Sequence, residues 1–368
     1  MNIVMMSRLF TQSGVGSHIK DLSKQLRAFG HNVYIVSSQN DHEEFCEREE
    51  IDFFSVNFSL SPLKMIKGVR NLVKFLKEKE IDIVHCHHRS CGVYMKIISA
   101  LTGIPFVWSN HLDDIPSDFL HRTMTFYGYK AICVSSELKG FCCDKLKIPE
   151  RDIEVIIHGV RPEDYYIDTE YVNAFKKKHN IENEKIIGLF ARMAPMKGHS
   201  CLLEALSKMP RESLKLTKTV LFGSTGGEYV EQLRSQISFS DLEEYVIFED
   251  FVTPSEALSL SDITVLPSLK EGFGIVSIES FVMQKPHIRT KTAGYEDIHD
   301  GCIGIEIGDS DALAAELTLF AEGKDYSGLI ANANALLEEK CTLESMTNKI
   351  LSVYKEAINK TKKTKRGN

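Results

Sequence analysis

Two cations and two carboxylates in the second half of the chain have the types and spacing to hold a phosphorylated, hydroxyl-rich ligand. Arg192 and Lys197 stand in Phe190-Ala191-Arg192-Met193-Ala194-Pro195-Met196-Lys197-Gly198, between an apolar run that reads as a strand and a stretch that reads as a helix. A guanidinium takes two phosphate oxygens in a fork and an ammonium adds a point charge, so this pair suits a diphosphate and would stabilise the charge growing on one as it departs. Glu271 and Glu279 lie in Pro267-Ser268-Leu269-Lys270-Glu271-Gly272-Phe273-Gly274-Ile275-Val276-Ser277-Ile278-Glu279, again between a strand and a helix. The glycines leave room for close ligand approach. Backbone N–H groups of Phe273, Gly274 and Ile275 fall at the positive end of the helix. Each carboxylate, with two acceptor oxygens, can grip paired hydroxyls. Any one of these charges alone would read as a solvated surface residue; their joint occurrence after strands reads as one site.

The first half is quieter. Ser13-Gly14-Val15-Gly16-Ser17-His18 follows the first strand and opens a helix, where an α/β sheet presents N–H groups to a phosphate. Ile19 stands where a dinucleotide-binding turn needs a third Gly or Ala, and the second strand ends in Ser37-Ser38-Gln39 rather than an acidic residue, which disfavours a nicotinamide dehydrogenase. The plainer reading is that these glycines only permit a tight turn. His85-Cys86-His87-His88-Arg89 ends another strand. No carboxylate or cysteine at a suitable spacing completes a metal set, so no metal is expected, and His87, His88 and Arg89 are read as lining an acceptor cleft. Asp309-Ser310-Asp311 has the look of a metal-binding DxD but directly precedes Ala312-Leu313-Ala314-Ala315, and reads as a helix cap.

The elements that must position these residues are short apolar runs alternating with longer amphipathic stretches, the pattern of parallel βαβ units and an α/β fold. Strands are predicted near 2–6, 32–37, 82–85, 105–109, 130–134 and 153–157, then near 186–190, 218–222, 245–248, 263–266 and 303–307. Helices are predicted near 17–29, 63–79, 91–102, 117–127 and 136–145. Two Rossmann-like sheets in tandem follow, the turn-rich His158-Gly159-Val160-Arg161-Pro162-Glu163-Asp164 making the linker. The expected domains are 1–165 and 166–341, with an amphipathic run near 342–360 and a basic, disordered tail at 361–368. A length of 368 residues accommodates two cores.

A formal charge of −7 argues against a nucleic-acid binder. The 9 scattered cysteines lack a CxxC pair, which argues against a disulfide framework or a zinc site and fits a reducing compartment. With no signal peptide and no run of about 20 apolar residues, a cytoplasmic protein is expected, at most peripheral to a membrane. Lys64, Lys67, Arg70, Lys74 and Lys77 lie largely off the apolar face of the helix near 63–79. They read either as a solvated face or as a patch drawn to an anionic leaflet.

Taken together, these motifs resemble those of the retaining glycosyltransferases of the GT-B fold, family 4, over nearly the whole chain. Glu271 and Glu279, seven residues apart around Glu-Gly-Phe-Gly, match the family's E-x7-E motif; Ala191-Arg192-Met193 followed by Lys197-Gly198 matches its phosphate motif. The resemblance implies two Rossmann-like β/α/β domains facing each other across a cleft, the N-terminal one for the acceptor and the C-terminal one for a nucleotide-diphosphate sugar, with the last helix packed back on the first. Arg192 and Lys197 would bind the donor's diphosphate, Glu271 the transferred sugar and Glu279 the ribose. Gly14 would bring its backbone to the phosphate, and His111 would stand beside the reacting carbon. Gly223, Phe273, Gly274 and Ile275 complete the donor contacts. No cofactor or metal is implied; a UDP-sugar is favoured as donor, and a saccharide or lipid-linked saccharide in surface polysaccharide or lipopolysaccharide assembly as acceptor. Departures include Ser13, Ala191 and Ala293 where the family often has Gly, His158 for a frequent Asn, and Tyr295-Glu296-Asp297 in place of x-Pro-Glu. A nucleotide-sugar epimerase of the same fold and a non-catalytic homologue binding a partner remain as alternatives.

Overall fold

Apolar runs buried on both faces form parallel strands, because only helix-covered parallel sheets bury both faces at once. The structure, a computed structural model, describes residues 1–59, 61–113 and 115–366. Strands β1 (Asn2–Met6), β2 (Asn32–Ser37), β3 (Asp52–Ser55), β4 (Ile83–Cys86), β5 (Phe106–Asn110), β6 (Ala131–Cys133) and β7 (Ile153–Val155) form one sheet in the order β3-β2-β1-β4-β5-β6-β7. Strands β8 (Lys185–Phe190), β9 (Thr217–Phe222), β10 (Val246–Glu249), β11 (Ile263–Leu266), β12 (His287–Thr290) and β13 (Ile303–Ile305) form another, in the order β10-β9-β8-β11-β12-β13. The named strands pair in parallel throughout both sheets.

Each sheet reverses its winding once, between β1 and β4 and between β8 and β11. Chains leaving such a pair diverge, which opens a crevice beyond the carboxyl ends of the strands. The loops after β1, β4, β8 and β11 are therefore the ones the topology places for ligand binding, and they carry the glycine turn, the histidine run, Arg192 with Lys197, and Glu271.

The chain divides into two compact units, one of Met1–Gly159 together with everything from Leu343 onward, the other Val160–Thr342. The boundary read at 165 thus moves to Gly159/Val160. Residues 160–168 are tied to the second unit: Val160 N–H donates to Cys341 O at 2.9 Å and Asp168 N–H to Ser259 Oγ at 2.9 Å. The last helix, Leu343–Arg366, joins the first unit's core through Leu343, Met346, Ile350 and Tyr354, beside Ile3, Leu22 and Ile83. It runs on through Arg366, past the point where a disordered tail was expected; residues 367 and 368 lie outside those described. Lysine propagates a helix well once packed turns have nucleated it.

Two strands are absent from the sequence reading. β3 is a half-exposed edge strand, and β12, His287-Ile288-Arg289-Thr290, is wholly buried but mostly polar, so neither presents an apolar run.

Candidate functional site

In the second unit the loops after β8 and β11 close on one another. Gly198 has φ +75°, and a Cβ there would lie 1.8 Å from Pro267 O, so a side chain at this position would drive the loops apart. Leu269 N–H donates to Met196 O at 2.8 Å across the same contact. The result is a direct ion pair, with Lys197 Nζ 2.6 Å from Glu271 Oε1. Ser268 Oγ–H donates to the same oxygen at 2.8 Å. Both charged side chains are largely buried, at 18% and 8% exposure, where an ion pair is screened far less than at the surface.

Arg192 leaves the end of β8 exposed and engages no partner among the described residues. Gly223, φ +150°, ends β9 against this loop, where a Cβ would meet Ala191 O at 2.7 Å. Glu279 lies in the second turn of the helix Ile275–Val282 and accepts from Tyr165 O–H at 3.0 Å. The direct contact among the four expected charges is thus Lys197 with Glu271, while Arg192 and Glu279 are delivered to the same switch point by the elements that carry them.

Beneath these loops lies a residue that sequence reasoning passed over. Arg289, fully buried in β12, donates from Nη1 to Phe273 O at 2.8 Å and to Ser277 Oγ at 3.2 Å, and from Nη2 to Ala293 O at 3.0 Å. One guanidinium therefore ties the Glu-Gly-Phe-Gly loop to the Ala293-Gly294 turn. Gly294, φ +85°, has no room for a Cβ, which would sit 2.6 Å from Phe273 Cα. Gly274, φ +82°, caps the helix Ile275–Val282. His287, on the same strand as Arg289, bonds Thr264 Oγ1 at 2.8 Å and Ser277 Oγ at 2.9 Å, and burial, aided by Arg289, pushes its pKa down to about 3.

In the first unit the helix Gly14–Ala28 is capped by Ser13, whose Oγ accepts from Gly16 N–H at 3.2 Å. A Cβ on Gly16 would lie 2.0 Å from Thr11 O, whereas one on Gly14 would meet nothing within 4 Å. Gly16 is required by packing, and Gly14 faces open space.

This helix delivers His18 to histidines from the ends of other strands. Ring centroids of His18 lie 5.4 Å from His87, 5.1 Å from His111 and 4.6 Å from His158. His85 sits behind His87 at 4.1 Å, held between Tyr354 Oη at 2.6 Å and Ser109 Oγ at 2.7 Å. Burial lowers the pKa of His18, His85, His87, His111 and His158, with mutual repulsion adding to it for all but His85; His85 and His158 reach about 3. His88 is exposed and caps the helix Arg89–Thr102, accepting from Ser90 N–H at 3.1 Å. Arg89 Nη1 donates to His121 O at 3.2 Å. Of the expected acceptor trio, then, His87 enters the histidine group, His88 caps a helix start, and Arg89 ties that helix to His121. His18, Tyr165, Ser268 and Arg289 were not singled out from the sequence; no spacing links His18 to His87 or His111, and only packing reveals the group.

The family described as Glycosyltransferase Family 4 matches residues 12–164, and the family described as Glycosyl transferases group 1 matches residues 172–357. An uncharacterised glycosyltransferase of Methanocaldococcus jannaschii is 25% identical over 94% of this chain and 95% of its own. The UDP-Gal:alpha-D-GlcNAc-diphosphoundecaprenol alpha-1,3-galactosyltransferase of Escherichia coli is 23% identical over 82% of each chain. Among solved structures, Anabaena HepE in complex with UDP-glucose superposes with a TM-score of 0.83 at 20% identity, covering 97% of this chain and 100% of that one.

Proposed function

This chain belongs to the GT-B glycosyltransferases of family 4, and on that premise we propose that it transfers a sugar from a UDP-sugar to a saccharide or lipid-linked saccharide, with retention of anomeric configuration and without a required metal. The observation that carries this reading is the Lys197–Glu271 pair, with Ser268, at the β8/β11 switch point. An incoming diphosphate competes for Lys197 and is met by exposed Arg192; Glu271, still fixed by Ser268, turns an oxygen to a sugar hydroxyl. Glu279, oriented by Tyr165, takes the ribose.

In the reaction the bond from the anomeric carbon to the phosphate oxygen breaks, the acceptor oxygen bonds to that carbon, and the acceptor proton passes to the leaving phosphate. Arg192 and Lys197 offset the charge that grows on the diphosphate. The E. coli relative's lipid-diphosphate acceptor and the UDP-glucose bound to HepE support this choice of substrates.

The exposed Lys64, Lys67, Arg70, Lys74 and Lys77, with exposed Leu63 and Ile66 on the same helix Pro62–Glu78, are assigned to an anionic membrane surface. No helix among the described residues is long and apolar enough to cross a membrane.

A thermal-shift screen of uridine, guanosine and adenosine diphosphate sugars, followed by transfer assays to polyprenyl-diphosphate saccharides, tests the reading. UDP-sugars should raise the melting temperature, and UDP should appear only when acceptor is present. Conversion of the donor to its epimer without acceptor would overturn it, as would binding without turnover. Co-sedimentation with anionic vesicles at low salt tests the surface patch.

A further inference from the structure

We propose that His18, His87 and His111 form a three-imidazole site for one borderline divalent transition metal ion, of which Zn²⁺ is the type. The site goes beyond the proposed transfer chemistry, which uses residues of the second unit and needs no ion.

One ring nitrogen from each of the three histidines lies within 4.8 Å of the others. The closest pair, His87 Nδ1 and His111 Nε2, stands at 3.1 Å. A tetrahedron built on metal–nitrogen bonds of about 2.0–2.1 Å has edges of roughly 3.3 Å, so this pair is already near the spacing an ion would set. The third nitrogen carries the independent observation. Among the described residues His18 Nε2 has no hydrogen-bond partner, although His18 is only 4% exposed. Buried ring nitrogens are ordinarily satisfied, and an ion bound by His87 and His111 gives this one a partner.

The surroundings orient the donors as metal sites require. His18 Nδ1 is engaged by His158 Nδ1 at 3.0 Å. When His18 donates in that contact, its Nε2 presents a lone pair rather than a hydrogen. His87 Nε2 faces Met5 Sδ at 3.5 Å, and His85 backs the His87 ring from a position fixed by Tyr354 and Ser109. The three donors come from the helix after β1 and from the ends of β4 and β5, so one rigid sheet frame holds them.

Ligand chemistry selects the ion. Three neutral nitrogens without a carboxylate suit Zn²⁺, Co²⁺ or Ni²⁺ rather than Mg²⁺ or Ca²⁺. Three protein ligands leave a fourth position for water or a hydroxyl-bearing molecule.

The test uses the full chain stripped with chelator and titrated with Co²⁺, and needs neither donor nor acceptor, so its failure leaves the transferase reading standing. The expected result is a visible band of four-coordinate Co²⁺ saturating at one equivalent and abolished by one equivalent of Zn²⁺. His18→Asn and His87→Asn should each weaken Co²⁺ binding by more than about 100-fold, while His121→Asn, at an exposed helix outside the group, should leave it unchanged. Circular dichroism and melting temperature establish that the variants fold. A six-coordinate spectrum only, thiolate charge-transfer bands pointing to cysteines, or undiminished binding by folded His18→Asn would overturn the proposal. Should those variants unfold, anomalous diffraction at the zinc edge from wild-type crystals decides: a peak bonded to the three imidazoles supports the site, and its absence there refutes it.

Discussion

The ligand-facing sides of the two units use opposite chemistry on the same topology. Beyond β8 and β11 the second unit gathers a lysine, an arginine and two glutamates, with a buried ion pair at 2.6 Å. Beyond β1, β4 and β5 the first unit gathers histidines held neutral by burial. The second unit's charges are partly accessible, with Lys197 paired to Glu271, whereas the first unit's histidines are desolvated. The sheet supplies the crevice in both cases, and the side chains alone decide what enters it.

Acid should separate the units most. His18, His85, His87 and His158 are buried and carry pKa values lowered chiefly by that burial. An unfolded chain takes up protons on histidine near pH 6.5, whereas folded His85 and His158 stay neutral to about 3. Below about pH 6.5 the unfolded state therefore binds more protons, and stability, complete above that pH, falls as pH drops toward 3. Each such histidine costs at most about 1.4 kcal/mol per pH unit in that window. The second unit has His287 at about 3 and His199 at about 4. The only tryptophan, Trp108, is buried in β5 of the first unit, so its fluorescence reports that unit. Between pH 7 and 5 its urea midpoint should fall more than the far-ultraviolet dichroism of the whole chain; equal shifts would erase the contrast.

Removing the cations should sharpen it on the other side. Lys197→Ala is expected to lower kcat/KM by about 10³-fold and Arg192→Ala by about 10²-fold, magnitudes typical of deleting a group aimed at developing charge. Initial-rate assays with saturating acceptor check both. Near-normal turnover in either variant would show the diphosphate to be misplaced.

Arg289 distinguishes a supporting cation from a contacting one. Its buried guanidinium bonds Phe273 O, Ala293 O and Ser277 Oγ. Arg289→Met strands these acceptors and should destabilise the protein by about 2–4 kcal/mol in urea unfolding, with a reduced thermal shift on UDP binding. A loss of turnover with unchanged stability would instead make Arg289 a ligand contact.

Legibility in the sequence follows the same divide. Arg192, Lys197, Glu271 and Glu279 are carried by two short strand–loop–helix segments, so local pattern was enough to single them out. Their supports were not legible: Ser268 bonds Glu271, Tyr165 bonds Glu279, and Arg289 holds the loop before Glu279, all by hydrogen bonds that no period or motif encodes. In the first unit the strands at 2–6 and 32–37 matched their apolar runs, yet His18, His87, His111 and His158 come together only because a parallel sheet brings distant strand ends to one edge. β12 was missed because three of its four buried positions are histidine, arginine and threonine, whose polar groups bond neighbouring elements and do not show as hydrophobicity.

The two glycines of the first turn give the smallest effect and the finest discrimination. Gly16 lies where a Cβ would penetrate to 2.0 Å from Thr11 O, so Gly16→Ala must displace backbone and should cost about 1–3 kcal/mol. Gly14 begins the helix Gly14–Ala28 with open space around the position of a Cβ, and alanine favours helix over glycine by up to about 1 kcal/mol. Gly14→Ala should therefore leave stability unchanged or slightly raised. If the space over Gly14 is where a phosphate approaches the backbone, the added methyl obstructs it, and kcat/KM should drop about 10-fold, the effect of roughly 1.4 kcal/mol, in a protein that melts no lower than wild type. Full activity in Gly14→Ala would reduce the turn to a matter of packing, and the first unit would then meet its ligands through the histidines alone.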